Sequence, residues 1–260
     1  EDAKLGLLAV GLDWRSRDVR LSGDIGWQDH KLKRTRTNVT LGAGVTSVPT
    51  VPDNQSNYAQ PWSYSNERDT FGTFRGEWDI TPDMTAWAAA GARRSEEANS
   101  LANLTVNNGS TGAATTYRFD NTREDSVNTG ELGVRGKLQT GSVGHEWVAT
   151  ASVFDFDKKN AYAMDWRNTL ATNLYGPVST NLPAFSGTTL YGGDLANPLR
   201  TGTTRLTSFA VGDTLTLLDK RLLLTAGVRH QKIDIGNYAY GTAALTSRYE
   251  QSRTSPLLAA

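Results

Sequence analysis

Glu96-Glu97 and Glu124-Asp125 are the obvious places to look for acid–base chemistry. Adjacent carboxylates on a strand point to opposite faces, so neither pair has the geometry of a general acid working with a general base. His30, His145 and His230 lie on separate segments with no second ligand at metal-binding spacing, so no protein-bound metal is expected. Cysteine is absent, which removes thiolates and disulfides. There is no G-x-S-x-G elbow and no phosphate-loop glycine pattern. No catalytic residue and no cofactor are expected, and the chain reads as a non-enzyme.

Two other groups can bind rather than react. The aromatics Tyr58, Trp62, Tyr64, Tyr162, Trp166, Tyr175 and Tyr191 fall in polar loop stretches, where they would line a mouth for a hydrophobic or chelate ligand. The competing use is packing loops together or standing in an interfacial girdle. Arg93-Arg94, Arg118, Arg123 and Arg167 would draw in an anion, although acids stand near them and arginine is an ordinary solvated residue. The most ordered charge set is Arg75, Glu77, Asp79, Glu131, Arg135 and Lys137, which share the polar phase of their strands. Facing a barrel interior, these charges would pair with each other or with a plug, or set ion selectivity in an open pore.

The elements that carry them alternate with a period of two. In Ala210–Asp234, Leu222, Leu224, Ala226, Val228 and His230 oppose Leu223, Thr225, Gly227, Arg229 and Gln231, on either side of a turn at 218–221. Each run is about twice the common soluble strand length and matches the roughly 9–11 residues of a tilted transmembrane strand. Similar runs cover Leu5–Trp14, Val19–Gln28, Arg68–Ile80, Met84–Arg93, Gly130–Leu138 and His145–Asp157, with a last one from Arg248. The alanine-rich Met84–Arg93 also suits a helix; Gly91 and the tight Thr81-Pro82-Asp83 turn favour a strand. Short turns near 15–18, 81–83, 140–144 and 218–221 alternate with long loops near 31–66, 95–123, 160–202 and 236–247. Membrane barrels put short turns at one rim and long loops at the other. No run of about 18 apolar residues exists, so a transmembrane helix is excluded. A mean hydropathy of −0.46 is compatible with a barrel that shows lipid only every second residue. Balanced charge, 27 acids against 27 bases, argues against a nucleic-acid partner. Asp213 breaks the apolar phase of its strand, which implies either a place at the membrane interface or a bulge.

The expected fold is all-β, an antiparallel transmembrane barrel segment of about nine strands. An odd number with neither end closed implies a piece of something larger. The hairpin from Asp213 to Gln231 resembles those of TonB-dependent siderophore receptors, and so do Asn57–Trp62, Asn160–Ala163 and Arg248–Pro256. The resemblance runs over most of the chain and is most specific in the last fifty residues. It implies a 22-stranded barrel of the bacterial outer membrane with short periplasmic turns, long extracellular loops and an N-terminal plug. It also implies uptake of ferric siderophores, with iron carried as a chelate, driven by the TonB complex, in contact with outer-membrane lipid and lipopolysaccharide. Residues 1–260 show no plug domain, no TonB-contacting box and no aromatic terminal strand, so they are expected to be a middle portion of such a barrel. A passive porin-like channel and an adhesin or phage-binding barrel are the rival readings.

Overall fold

The computed structural model describes residues 2–218 and 221–260. They form one sheet: β1 (Asp2–Arg15), β2 (Val19–Lys33), β3 (Val39–Leu41), β4 (Tyr64–Thr81), β5 (Met84–Val106), β6 (Ala113–Thr140), β7 (Val143–Met164), β8 (Leu170–Asn173), β9 (Leu190–Gly192), β10 (Leu199–Leu217), β11 (Leu222–Tyr238) and β12 (Leu245–Ala259). The long strands follow the order β1-β2-β4-β5-β6-β7-β10-β11-β12, each antiparallel to its neighbours. The short β3 pairs parallel with the end of β5, while β8 and β9 pair with β6 and β7. Among the described residues there is no helix, and β1 and β12 each pair along one edge, so the wall is open. This is the all-β, nine-strand wall expected from the alternation.

One face of the wall carries a repeating apolar set. On β2 it runs Val19, Leu21, Gly23, Ile25, Trp27, and the next same-face residue is Asp29. On β5, Met84 to Ala92 is followed by Arg94; on β6, Leu138 back to Gly130 is followed by Asn128. Five such positions span nine residues, or about 30 Å of strand, which a tilt of about 40° reduces to an apolar band of roughly 23 Å. Phe74, Trp78 and Leu132 on this face are more than half exposed, as side chains are when lipid rather than a core covers them. Trp14, Trp78 and Trp147 mark the band's lower edge, beside the short turns. The opposite, polar face is the lumen face. The turns are Ser16–Asp18, Pro82-Asp83 and Gly141-Ser142, the last with Gly141 at φ 61°. The predicted turn at 218–221 includes Asp219 and Lys220, which lie outside the described residues; at its flank, Arg221 N–H donates to the Leu218 carbonyl at 3.1 Å.

The long-loop expectations change most. Residues 95–123 form the top of a tall β5–β6 hairpin of 23 and 28 residues, and only 107–112 remain as loop. Above the apolar band no lipid demands a continuous apolar face, so alternation is interrupted over Ser95–Ser100 and returns only at Ala102, Leu104 and Val106, while backbone pairing continues from Ser95↔Asp125 to Val106↔Ala114. The 160–202 stretch likewise contains β8, β9 and the ends of β7 and β10, and the last loop shrinks to 239–244. A small core of Leu104, Val106, Ala114 and Leu174, with Tyr58 packed on it, ties the loops to this hairpin. Asp213 is not at a bulge. Its register is continuous from Gly202 to Leu217 against β11, which keeps it in the outward phase opposite Trp147 at the band's lower edge.

Candidate functional site

The lumen face gathers charge low on the wall. Across β2, β4, β5 and β6 one row reads Arg20↔Glu77↔Trp87↔Gly133. Arg20 holds Asp79 with both terminal nitrogens, at 2.6 and 2.7 Å, and reaches Glu77 at 3.3 Å. Arg75 pairs with Glu77 at 2.8 Å and Glu131 at 3.5 Å, and Arg135 with Glu77 at 3.2 Å. Trp87 Nε1–H donates to Glu131 at 2.6 Å, and the Arg75 and Arg135 guanidiniums lie 5.6 and 5.5 Å from its ring centroid. A Cβ on Gly133 would fall 2.0 Å from that ring, so only glycine leaves room for it. Three cations meet three carboxylates, and the cluster has no net field with which to draw an ion. Five of the six predicted lumen charges belong to it. Lys137 stands apart, paired with Glu146 at 2.8 Å. Arg20 and Trp87 were missed; the available signal was that both fall in the polar phase of their strands.

The predicted mouth aromatics are not one surface. Tyr64 and Tyr162 are strand residues, in β4 and β7, because pairing continues through their polar surroundings. Tyr162 takes the lumen phase. Its ring stacks on Phe119 at 6.2 Å and meets Tyr240 edge-on at 5.0 Å, while the Asn160 amide donates to the Tyr240 hydroxyl at 3.3 Å. Tyr64 takes the outward phase of Phe74 and Trp78, and burial pushes its phenol up. Tyr58 donates to the Thr37 carbonyl, Trp62 to Thr180 at 3.5 Å, and Tyr175 to the Gly109 carbonyl at 3.4 Å. Those three pin loops. Tyr191 packs on Phe185, itself covered by Arg118 at 3.9 Å, and Trp166 is capped by Arg167.

The remaining candidates are also separated. Arg118 grips Asp120 at 2.5 Å and the Pro183 carbonyl at 2.7 Å, and Arg123 pairs with the buried Asp125. Arg93 comes within 4.0 Å of Asp69. Among the described residues Arg94 and Arg167 have no carboxylate within 4 Å. Glu96 and Glu124 face each other across the hairpin, each with its own cation, Arg68 at 4.0 Å and Lys159 at 3.0 Å. Among the described residues His30 shares no side-chain partner with His145 or His230. His145 pairs with Asp213 at 2.6 Å and His230 contacts Thr254 at 2.9 Å. Among the described residues no three His, Asp or Glu side chains assemble as a metal-binding group. Sequence reasoning also missed Asp165, a loop carboxylate that is 1% exposed. Burial pushes it up, but donors from the Ser186 hydroxyl (2.5 Å), the Ser186 amide (3.0 Å) and Asn168 (3.1 Å) outweigh this and hold it below the usual carboxylate range.

Tall antiparallel strands with an outward apolar band and a polar inner face make a segment of transmembrane β-barrel wall. Residues 10–260 match the family described as TonB dependent receptor-like, beta-barrel, and the chain belongs to that family. It is 29% identical over 250 residues to the ferrichrome receptor FcuA of Yersinia enterocolitica, covering 96% of this chain and 32% of that protein. Its fold is similar to BauA, the ferric preacinetobactin receptor of Acinetobacter baumannii, with a TM-score of 0.79, 23% identity, and coverage of 98% of this chain and 36% of that one. FpvA of P. aeruginosa, solved with heterologous pyoverdines, has a TM-score of 0.73 at 15% identity, covering 98% and 32% of the two chains. The chain therefore spans about a third of the length of these relatives. The family is one of outer-membrane transport receptors rather than enzymes, and this wall stands in that membrane.

Proposed function

We propose that this wall belongs to a receptor that captures a ferric siderophore at its outer mouth and passes it inward with energy from a TonB complex. The observation that carries the reading is the placement of Tyr162, Phe119 and Tyr240 together at the outer end of the lumen face, in a chain of this family. Flat rings with hydroxyl edges suit the mixed apolar and oxygen-rich surface of a ferric chelate. The names of the relatives, receptors for ferrichrome and ferric preacinetobactin, point the same way. Iron travels inside its chelate, so the wall needs neither a metal site nor a cofactor, and no covalent bond of the cargo is made or broken. The neutral cluster around Glu77 faces a plug supplied elsewhere in the receptor, which carries the TonB contact. The outward pairs Lys159–Glu124 and Arg248–Asp234, just above the apolar band, face headgroups of lipid and lipopolysaccharide.

The test is binding by the full-length receptor carrying Tyr162→Ala or Tyr175→Ala, with ferrichrome and ferric preacinetobactin as the first probes. Loss of about 1.4 kcal/mol of ring contact weakens binding tenfold. That loss is expected for Tyr162→Ala alone. A wild-type receptor that binds no ferric chelate, or conducts ions freely without one, would show the reading to be wrong.

A further inference from the structure

The lumen face is electrically uneven. Low on β2–β6 each arginine has a carboxylate within 3.5 Å. On β11 and β12, level with the upper edge of the apolar band, two arginines do not. Arg229 and Arg253 share the lumen phase and are diagonal neighbours, because Arg229 faces Ser255 while Arg253 faces Gln231. That places their backbone positions about 7–8 Å apart. Arg229 Nε–H donates to the Ser208 hydroxyl at 2.8 Å. Neither guanidinium has a carboxylate within 4 Å among the described residues. Both line a cleft of about 570 Å³ together with Gln231, Gln251, Ser208 and Tyr249. In the lumen phase the lining thus offers two cations, two amides and, with Ser152, three hydroxyls, with Leu206, Phe154 and Ile233 as apolar walls.

We propose that Arg229 and Arg253 form a carboxylate-binding site on the inner wall of the barrel. The planar guanidinium fork fits the two oxygens of a carboxylate, and amides and hydroxyls supply the neutral donors around it. The inference holds whatever cargo the receptor carries. The carboxylate has two possible sources, an acidic side chain of polypeptide lying in the lumen or a free organic anion, and the chemistry of recognition is the same for both.

Full-length receptor in detergent is compared with the double variant Arg229→Gln/Arg253→Gln, using tricarballylate as the probe. Arg94→Gln, in the outward phase of β5, away from the cleft and likewise without a carboxylate partner among the described residues, is the control for charge loss. A free-anion site binds tricarballylate in the wild type, at least tenfold more weakly in the double variant, with less affinity at high salt. A site filled by an acidic side chain gives no probe binding, but the double variant melts several degrees below both wild type and control. Arg229→Lys/Arg253→Lys, which keeps charge and loses the fork, recovers only part of either signal. Unchanged melting with no probe binding, or undiminished probe binding in the double variant, overturns the proposal. A heat-dependent mobility shift of each variant establishes that the barrel is folded before either readout is taken.

Discussion

Replacing Gly133 with alanine tests the register of the wall at one contact. The new Cβ would stand 2.0 Å from Trp87 Cζ2 and 2.4 Å from Cε2, far inside van der Waals contact. The ring is not free to leave, because Nε1–H is bound to Glu131 and Arg75 and Arg135 lie over its face. Overpacking of this kind costs roughly 1–3 kcal/mol. Alanine returns about 0.4–1 kcal/mol by restricting the unfolded chain, since β-strand φ/ψ suits it. The single variant should therefore lose about 1–2 kcal/mol. With Trp87 already changed to alanine the clash is gone, and Gly133→Ala should be neutral or stabilising by up to about 1 kcal/mol. The coupling energy is then roughly 1–3 kcal/mol, within the usual range for residues in contact. Denaturant unfolding of the full-length receptor in lipid vesicles, with all four members of the cycle, measures it. Equal effects of Gly133→Ala in both backgrounds, within about 0.5 kcal/mol, would refute the ring-on-glycine contact and with it the Trp87↔Gly133 pairing.

Val228→Asp places an acid in the outward phase opposite Val211 and Pro256, where a midplane charge costs about 2–4 kcal/mol or somewhat less for an acid. Outer-membrane fractionation should show its assembly blocked, while Thr225→Asp in the lumen phase assembles. His145→Leu strands Asp213 unpaired at the lower rim and should destabilise by about 1 kcal/mol, whereas His145→Leu/Asp213→Leu should be neutral or stabilising in the same unfolding assay. For Asp165 the folded carboxyl lies below its unfolded value, so its stabilisation is fully present above the ordinary carboxylate pKa of about 3.9 and is lost as pH falls through the folded value. Hydrogen-exchange protection of 165–189, taken relative to the intrinsic exchange rate at each pH, should therefore stay constant from neutral pH down to that point and fall below it, and Asp165→Asn should abolish the dependence.

The parts legible from sequence are those for which the lipid imposes a rule. Val211, Leu215, Leu224 and Val228 must share a face because one side of the strand meets hydrocarbon, and that demand is written as a two-residue beat. Ser95–Val106 obeys no such demand. Ala102, Leu104 and Val106 alternate with Asn103 and Thr105 because loop residues bury that face, but nothing extends the beat through Ser95–Ser100, so the pairing with 114–125 is only partly written in the sequence. The lumen cluster was readable as a phase but not as a contact list: Arg20 meets Asp79 across 59 positions, a distance that only strand order sets. Residue type fails for the aromatics. Tyr162 and Tyr175 are the same amino acid in similarly polar stretches, and only register separates a ring at the lumen from one pinned over Gly112.

Register in such a wall needs a cause other than a core. A slip of one residue would turn every lumen charge to lipid, yet the conventional core here is confined to the loop end of the β5–β6 hairpin. Four cross-strand pairs supply local locks: Phe71 on Gly26, Trp87 on Gly133, Trp147 on Gly136 and Tyr162 on Gly192, each directly opposite in the ladder. In every case a Cβ on the glycine would fall within 2.7 Å of the ring, so no other residue type fits beneath it. Glycine within a strand costs roughly 0.5–1 kcal/mol relative to alanine, and an aromatic laid over it covers the backbone that it leaves bare. A slip lifts the ring off its glycine and sets it against a side chain. The same device that fixes the ladder at Trp87 also aims the charges around Glu77, and at Tyr162 it fixes the ring that stands at the outer mouth; two of the four rings that set the register are thus also residues of the candidate site.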